Sequence, residues 1–450
     1  MNFMDWINED TKYVLLVEPD FPIPNKSRNH SNFLPIGLLK IGALLNELEI
    51  DYDLIRFEEK NIDYGQKTLI NNEEDNERKP DLICVTSIFT YWSKYVKNTV
   101  FYYRNKYNDV PIIVGGIYAS LMPKECKKTT GCTGVIEGPI PEADKLFADY
   151  SKVDVDYQII HTSRGCIRQC GFCGTYKIEP HWICKKSLKE EIEAEPDKKK
   201  IIFYDNNLLA NENIEDILNE LIELKKEKKI TYVESQSGFD GRILRKKPYL
   251  AKMLKEAGFK NPKIAWDYGI KQAPKIKKQI DTLTDAGFTE KEISIFMIYN
   301  YEIPYEEMEE KRQKCAYWKV QITDCRYRPL NAEKDEYSSY KREQGPEDYH
   351  IHEKSGWTDQ KIRKFRRNIR RHNICMRHEI DYHSTILERK QIPQERAKEL
   401  RGKSYKEIKE KYSDELPDAW SPLEQHPSDE PDYFKTKSKK KVHKNKKKKN

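Results

Sequence analysis

Short apolar runs, each followed by a segment with helical spacing, recur along most of this chain and restrict it to a small set of folds. Residues 13–18 (Tyr-Val-Leu-Leu-Val-Glu) read as a buried parallel strand. A helix at 35–48, strands at 52–57 and 81–87, a helix at 91–107 and a strand at 111–114 ending in Gly115-Gly116 follow, and 135–138 closes this first set. Residues 58–80 are polar and acidic and read as an exposed loop. The period resets at Tyr157. Strands are expected at 157–161, 201–205, 231–235, 263–267, 293–300 and 320–326, with helices at 214–226, 249–256, 275–285 and 306–318. Alternation of this kind implies right-handed crossovers and an α/β fold with parallel sheets, doubly wound over residues 1–150 and a six-fold strand–helix array over 155–335.

At 450 residues the chain is long enough for two or three domains. Charged residues make up 34% of it, yet the net charge of +7 is a local property: ten lysines and no acid fall within 435–450, and the other residues together stand at −3. That block reads as a disordered tail over 431–450, a solubilising end or a weak nucleic-acid tether. No charged-then-apolar leader and no apolar run near the ~20 residues of a membrane span are found. The expectation is a cytoplasmic protein with reduced thiols and no membrane partner.

The chemistry concentrates in Ser163-Arg-Gly-Cys-Ile-Arg-Gln-Cys-Gly-Phe-Cys-Gly174. Its spacing, Cys-x3-Cys-x2-Cys, places Cys166, Cys170 and Cys173 within eight residues, with Phe172 just before the last. Three thiolates hold three corners of an iron–sulfur cubane and leave one iron open to a small molecule. Gly165, Gly171 and Gly174 let the backbone wrap such an object closely. Zinc is the other reading, with His161, His181 or Cys184 as fourth ligand, although no second Cys-x2-Cys pair follows.

This loop resembles the cluster-binding loop of the radical S-adenosylmethionine (radical SAM) enzymes. The resemblance implies a 4Fe-4S cluster held by Cys166, Cys170 and Cys173, with SAM on the open iron, and a partial (β/α)6 barrel over 155–335. It also implies a 5'-deoxyadenosyl radical made by reductive cleavage of SAM, and a reductant such as flavodoxin or ferredoxin. Cofactor contacts are then expected from Phe172 and from the strand-end residues Asp205, Asn206, Asn207, Gln236 and Asp267, with Asp240, Asn300 and Arg326 at comparable positions. Asp205-Asn206-Asn207 stands where the family carries Gly-Gly-Glu, and reads equally well as a turn and helix cap. Cys325 reads as a packed small hydrophobe rather than a hydrogen donor.

The first unit resembles the cobalamin-binding-type Rossmann domain that precedes many such cores, through Gly115-Gly116 and Ile136-Glu137-Gly138. Cobalamin is therefore a further cofactor to test, but the Asp-x-His-x2-Gly segment that supplies the axial imidazole is absent, and His30 lacks that context. A degenerate domain that binds substrate or partner is the preferred reading. A methylthiotransferase-like RNA modifier, with Cys84, Cys126 and Cys132 on a second cluster, is an alternative whose spacing does not match. A nucleic-acid-binding protein with a structural metal loop is another.

Residues 336–430 read as a helical basic extension. Within it, 361–378 carry eight lysines and arginines and no acid, while Ile362, Phe365, Ile369 and Met376 share one helical face and Thr358-Asp359 can cap the start. Nucleic-acid phosphates and the acidic body of the same chain are the two partners such a helix suits. Arg401 to Ile408 faintly resembles short helical motifs found beside phage-type nucleases.

Overall fold

The computed structural model describes residues 2–23, 33–56, 78–339, 341 and 343–378. His30, most of the 58–80 loop, the Arg401–Ile408 segment and the lysine-rich tail lie outside the described residues. The fold is mixed α/β with parallel sheets, as the alternation implies. In chain order the first half contains β1 (Tyr13–Glu18), α1 (Ile36–Glu47), β2 (Asp51–Arg56), β3 (Leu82–Ser87), α2 (Ser93–Lys106), β4 (Ile112–Gly116), α3 (Ile117–Leu121), α4 (Pro123–Thr130), β5 (Gly134–Val135) and α5 (Pro141–Asp144). Its strands form one sheet in the order β2-β1-β3-β4-β5, every pair parallel.

Strand periodicity explains how this sheet is covered. Leu15, Val17, Ile83, Val85, Ile112 and Val114 project to one face and pack on Val96, Val100 and Tyr103 of α2. Val14, Leu16, Leu82, Cys84 and Ile113 project to the other, against Leu38, Leu44 and Leu45 of α1. The central strands are thus apolar at successive positions because both faces are buried. Each such Leu, Ile or Val contributes roughly 1.5–3 kcal/mol relative to exposure.

The second half contains β6 (Tyr157–Ile160), β7 (Ser163–Arg164), α6 (Thr175–Ile178), β8 (Ile183–Cys184), α7 (Lys189–Glu193), β9 (Lys200–Phe203), α8 (Ile214–Lys226), β10 (Tyr232–Ser235), α9 (Gly241–Lys246), α10 (Tyr249–Ala257), β11 (Lys263–Ala265), α11 (Ala273–Asp285), β12 (Ser294–Tyr299), α12 (Tyr305–Tyr317), β13 (Gln321–Arg326) and α13 (Asp359–His378). Two parallel three-stranded sheets, β10-β9-β6 and β11-β12-β13, are linked by the parallel bridge Phe239↔Ile264, so the six strands follow one another in chain order. One side of them packs against the helices through Ile201, Phe203, Val233, Ile264, Ile295, Met297 and Ile322. The opposite side carries polar pairs: Lys263 donates to Glu234 at 2.7 Å, and the hydroxyls of Ser294 and Thr323 share a bond of 2.7 Å. Ile362, Phe365 and Ile369 of α13 belong to the same core as these strands, so this helix is integral to the second half.

Candidate cluster loop and its rim

The cysteine loop is clipped at its base. β7 and β8 pair antiparallel, Ser163 with Cys184 and Arg164 with Ile183, and the loop is the excursion between them. Asp205, just past the end of β9, accepts from the amides and hydroxyls of both Thr162 and Ser163 at 2.6–3.0 Å. Glu179 accepts from the amide of Gly165 at 2.7 Å and from Asn206 at 3.1 Å, and pairs with Arg164 at 3.1 Å. Gly165 has φ +79°, and a Cβ there would lie 2.4 Å from the carbonyl oxygen of His181, so glycine is required. Arg168, inside the loop, reaches Asp240 at 3.0 Å.

Within this frame the three cysteines are free and half-buried. The amide of Cys173 donates to the carbonyl of Cys170 at 2.9 Å, closing a turn, and the amide of Arg168 points at the sulfur of Cys166 at 3.4 Å. The Cys173 thiol donates to Thr175, which in turn donates to Asn206. Burial raises the pKa of Cys170, and the charges of Asp267, Cys173 and Cys166 raise it further. Among the described residues no three Cys, His, Asp or Glu side chains converge as a single metal ion requires. A cubane takes one thiolate per iron and spreads its donors more widely. The fourth ligands named for zinc are not gathered here. His161 is buried, with burial holding its pKa well below the usual value; His181 is exposed; Cys184 sits in β8.

The strand-end residues divide into two groups. Asp205 is fully buried and engaged by Thr162 and Ser163, so it holds the loop rather than facing a ligand. Asn300 is likewise buried: its amide bonds the carbonyl of His350 at 2.8 Å and the amide of His352 at 2.9 Å. Arg326 is bound to Asp335, and Asp240 is shared by Arg242, Arg168 and Asn207. Although burial alone would raise the pKa of Asp240, the two arginines outweigh it and hold it below the usual carboxylate range. Asn206 is exposed beside Thr175, and Asn207 is buried with its side-chain oxygen unpartnered. Gln236 is half-buried, its amide bonded to the carbonyl of Phe203 beyond β10. Asp267 is half-buried near Cys170, and burial raises its pKa despite Lys311 and Arg242.

Cys325 departs from the expected packed hydrophobe. It retains open surface, because the period of two in β13 turns Asp324 to α13 and Thr323 and Cys325 to the side away from the helices. Cys84, Cys126 and Cys132 are also not a ligand set. Cys84 lies on one face of the first sheet, and Cys126 and Cys132 on the other.

A second group at the rim has no counterpart in the sequence reading. Tyr301 packs edge-on to Phe172 of the loop (6.2 Å between centroids), on Tyr327 (4.3 Å) and on His352 (5.7 Å), and Tyr327 meets His350 at 5.5 Å. His350 Nε2 and His352 Nδ1 are buried without partners, and burial lowers the pKa of His350. The segment is fixed by Asn300, which takes φ +58°, a left-handed conformation that asparagine adopts more readily than most non-glycine residues. The His-x-His spacing is visible in the sequence; what hides its role is that Asn300, some fifty positions upstream, anchors it.

The first half contributes a cavity of about 200 Å³ at the C-terminal edge of its sheet, between Lys40, Gly115, Ile136 and Gly138 and, across the junction, Arg164 and Glu179. Its charged wall is paired internally: Arg164 with Asp144 at 3.0 Å, and the Lys40 ammonium with the carbonyls of Asp144 and Leu146. No helix of the described residues is long and apolar enough to cross a membrane. No protein-family model matches the chain and no curated protein matches it, so its functional reading rests on these residues and their geometry.

Proposed function

We propose that this chain is a radical SAM enzyme, in which Cys166, Cys170 and Cys173 each hold one iron of a 4Fe-4S cluster and the remaining iron takes SAM. When bound, that group supplies a 5'-deoxyadenosyl radical for hydrogen abstraction from a substrate. The observation that carries this reading is a loop of three free thiols, pinned at the C-terminal ends of parallel strands by Asp205, Glu179 and Asp240. Strand ends of this polarity are where such arrays gather their chemistry. The six strands in chain order support a partial (β/α)6 barrel, and the order β2-β1-β3-β4-β5 supports a doubly wound, Rossmann-like first domain.

The chain's own residues divide the work. Gly165 allows the loop to turn, Glu179 and Arg168 fix its two shoulders, and Phe172 with Tyr301 shields one side from water. Asn207, through its unpartnered side-chain oxygen, Gln236 and Asp267 are the polar groups left to meet SAM, while His350 and His352 face the same rim through Tyr301 and Tyr327. Cobalamin does not fit these residues. The cavity of about 200 Å³ is below the roughly 300–1,000 Å³ of ordinary small-ligand pockets, and its wall offers no imidazole.

Anaerobic reconstitution with iron and sulfide, dithionite reduction and chromatography for 5'-deoxyadenosine test the proposal. The wild type is expected to bind about four irons and form the nucleoside from SAM, and Cys170→Ala to lose both. Full iron and SAM cleavage in that variant, or zinc in place of iron in the wild type, would sink the assignment.

A further inference from the structure

We propose that the outward face of α13 is a phosphate-binding ridge for nucleic acid, centred on Lys364, Arg367 and Arg370. The orientation of the helix is settled by its contacts. Ile362, Phe365, Ile369, His372 and Cys375 are buried; Phe365 packs on Tyr299 (5.2 Å) and Trp357 (6.0 Å), and His372 Nε2 bonds the carbonyl of Val320 at 2.8 Å. Asn373 completes the seat by bonding both the amide and the carbonyl of Ile322, at 2.8 and 2.7 Å. The opposite face therefore points away from the body.

Six of the eight lysines and arginines of α13 fall into two sets with different employment. Lys361 pairs with Glu306 at 3.0 Å, Arg363 with Asp359 at 2.7 Å and Arg366 with Asp324 at 3.9 Å, so the flanks of the helix are bound to the chain's own acids. Lys364, Arg367 and Arg370 are exposed, one per turn along the outward face. Docking onto the body thus pairs the first set with acids; in the second, Lys364 lies 5.5 Å from the centroid of the Tyr305 ring and Arg370 acts on Asp324 at longer range, while all three side chains stay exposed to solvent. After Asp359 the helix contains no acid, so this face lacks the alternating signs that let an ordinary solvated helix neutralise itself. Like charges at this spacing destabilise a helix by about 0.2–0.5 kcal/mol per pair, a cost that a bound polyanion reverses.

Shape favours nucleic acid over a free phosphate or nucleotide. The row is linear and its three side chains are exposed; Lys364 to Arg370 spans about 9 Å of helix. A helix of this kind fits a major groove about 12 Å wide, and its guanidinium forks suit phosphate oxygens. Ile374, 40% exposed on the same face, adds an apolar contact. The direction of the ridge links it to the rim. α13 runs antiparallel to β13, with Asn373 beside Ile322 and Arg366 beside Asp324, so its first turn lies at the strand ends, next to Tyr349 and the His350–His352 segment. A strand laid along the ridge is led toward the cysteine loop. That last step rests on the enzyme reading above; the ridge itself does not.

The test uses the full chain, with and without iron, and fluorescein-labelled single-stranded RNA, single-stranded DNA and duplex DNA of arbitrary sequence, followed by anisotropy across a series of KCl concentrations. Salt-dependent binding is expected, and the comparison of the three probes identifies which nucleic acid is preferred. The triple variant K364E/R367E/R370E should bind more weakly, with a salt slope shallower by about three, while retaining the wild-type melting temperature because the three side chains are exposed. A variant lacking residues 435–450 should keep that slope difference. Binding unchanged in the triple variant, binding lost only with the lysine tail, or binding to phosphatidylserine vesicles in place of nucleic acid overturns the ridge. Since the binding needs no cluster, Cys170→Ala should retain it, which separates failure of this inference from failure of the enzyme reading.

Discussion

The two halves of this protein use the same construction, parallel strands crossed by helices, and surround their strand ends with different groups. At the C-terminal edge of the first sheet the charged groups are paired with one another: Lys40, Asp144, Arg164 and Glu179 form a closed chain around a small cavity. Both halves leave buried polar atoms without partners, Glu18 Oε1 and Glu142 Oε2 in the first and Asn207 Oδ1, His350 Nε2 and His352 Nδ1 in the second. In the second half the two histidines also stand with Tyr301 and Phe172 at the loop of three free thiols, and that conjunction is the ground on which the proposed site is placed there.

Paired glycines give the most forceful way to break this comparison. Gly116 (φ +95°) and Gly165 (φ +79°) both require the left-handed region, and a Cβ would lie 2.1 Å from the Ser87 carbonyl oxygen at the first and 2.4 Å from that of His181 at the second. Alanine costs about 1–2 kcal/mol at either from the dihedral alone, with backbone displacement added. Gly116→Ala should therefore lower the melting temperature sharply but leave iron uptake per folded molecule intact. Gly165→Ala should lose stability as well and, because the displaced backbone is the base of the cysteine loop, also lose iron per folded molecule. If Gly116→Ala loses iron too, or Gly165→Ala keeps it, the halves do not divide the work as described.

Buried lysines sharpen the contrast at a smaller scale. Each donates to two backbone carbonyls, Lys40 in the first half to those of Asp144 and Leu146 and Lys311 in the second to those of Trp266 and Tyr268 (2.7 and 3.0 Å), but Lys40 also has the Asp144 carboxylate at 3.7 Å, whereas Lys311 lies over the Trp266 ring. Burial lowers the Lys311 pKa to about 8. Its unfolded value is about 10.4, so between these values the folded chain binds fewer protons than the unfolded one and stability rises with pH. The full interval corresponds to about 3 kcal/mol. The wild type should gain melting temperature from pH ~8 to ~10 relative to Lys311→Met; parallel profiles for the two proteins would remove Lys311 from the argument. The same lysine holds the backbone on both sides of Asp267, which places a strained charge directly beneath the rim.

Much of the fold was legible because it rests on local periodicity. Successive apolar residues marked β1 as a buried parallel strand, and Thr358 caps α13 through the amide of Lys361 at 3.3 Å, as the Thr-Asp pair suggested. The cysteine loop was legible for the same reason, its three cysteines lying within a span of eight residues. What escaped depends on partners distant in sequence. The carboxylate of Asp205 reads as a ligand group at a strand end, yet Thr162 and Ser163, more than forty positions earlier, engage it. Cys325 reads as filler until the register of β13 turns it away from the helices. The His350–His352 segment gains meaning only through Asn300 and Tyr301.

The smallest expected effect belongs to Gly115, and it probes how much slack the first half retains. In the sequence Gly115-Gly116 is one feature, a pair closing a strand. In the fold the two residues differ: Gly116 cannot take a side chain, whereas a Cβ at Gly115 would meet nothing nearer than the Cβ of Ile136 at 3.9 Å, ordinary van der Waals contact at the cavity wall. Alanine there restricts the unfolded chain and fills a little of the cavity, so Gly115→Ala should stabilise by roughly 0.4–1 kcal/mol with unchanged iron content. Chemical denaturation at constant m-value checks it. Stabilisation would mean that the edge of the first sheet is free of tight constraint, in keeping with a half that supports the site; a clear loss of stability would mean that this edge is held as tightly as the cysteine loop, and that the cavity is a shaped feature in its own right.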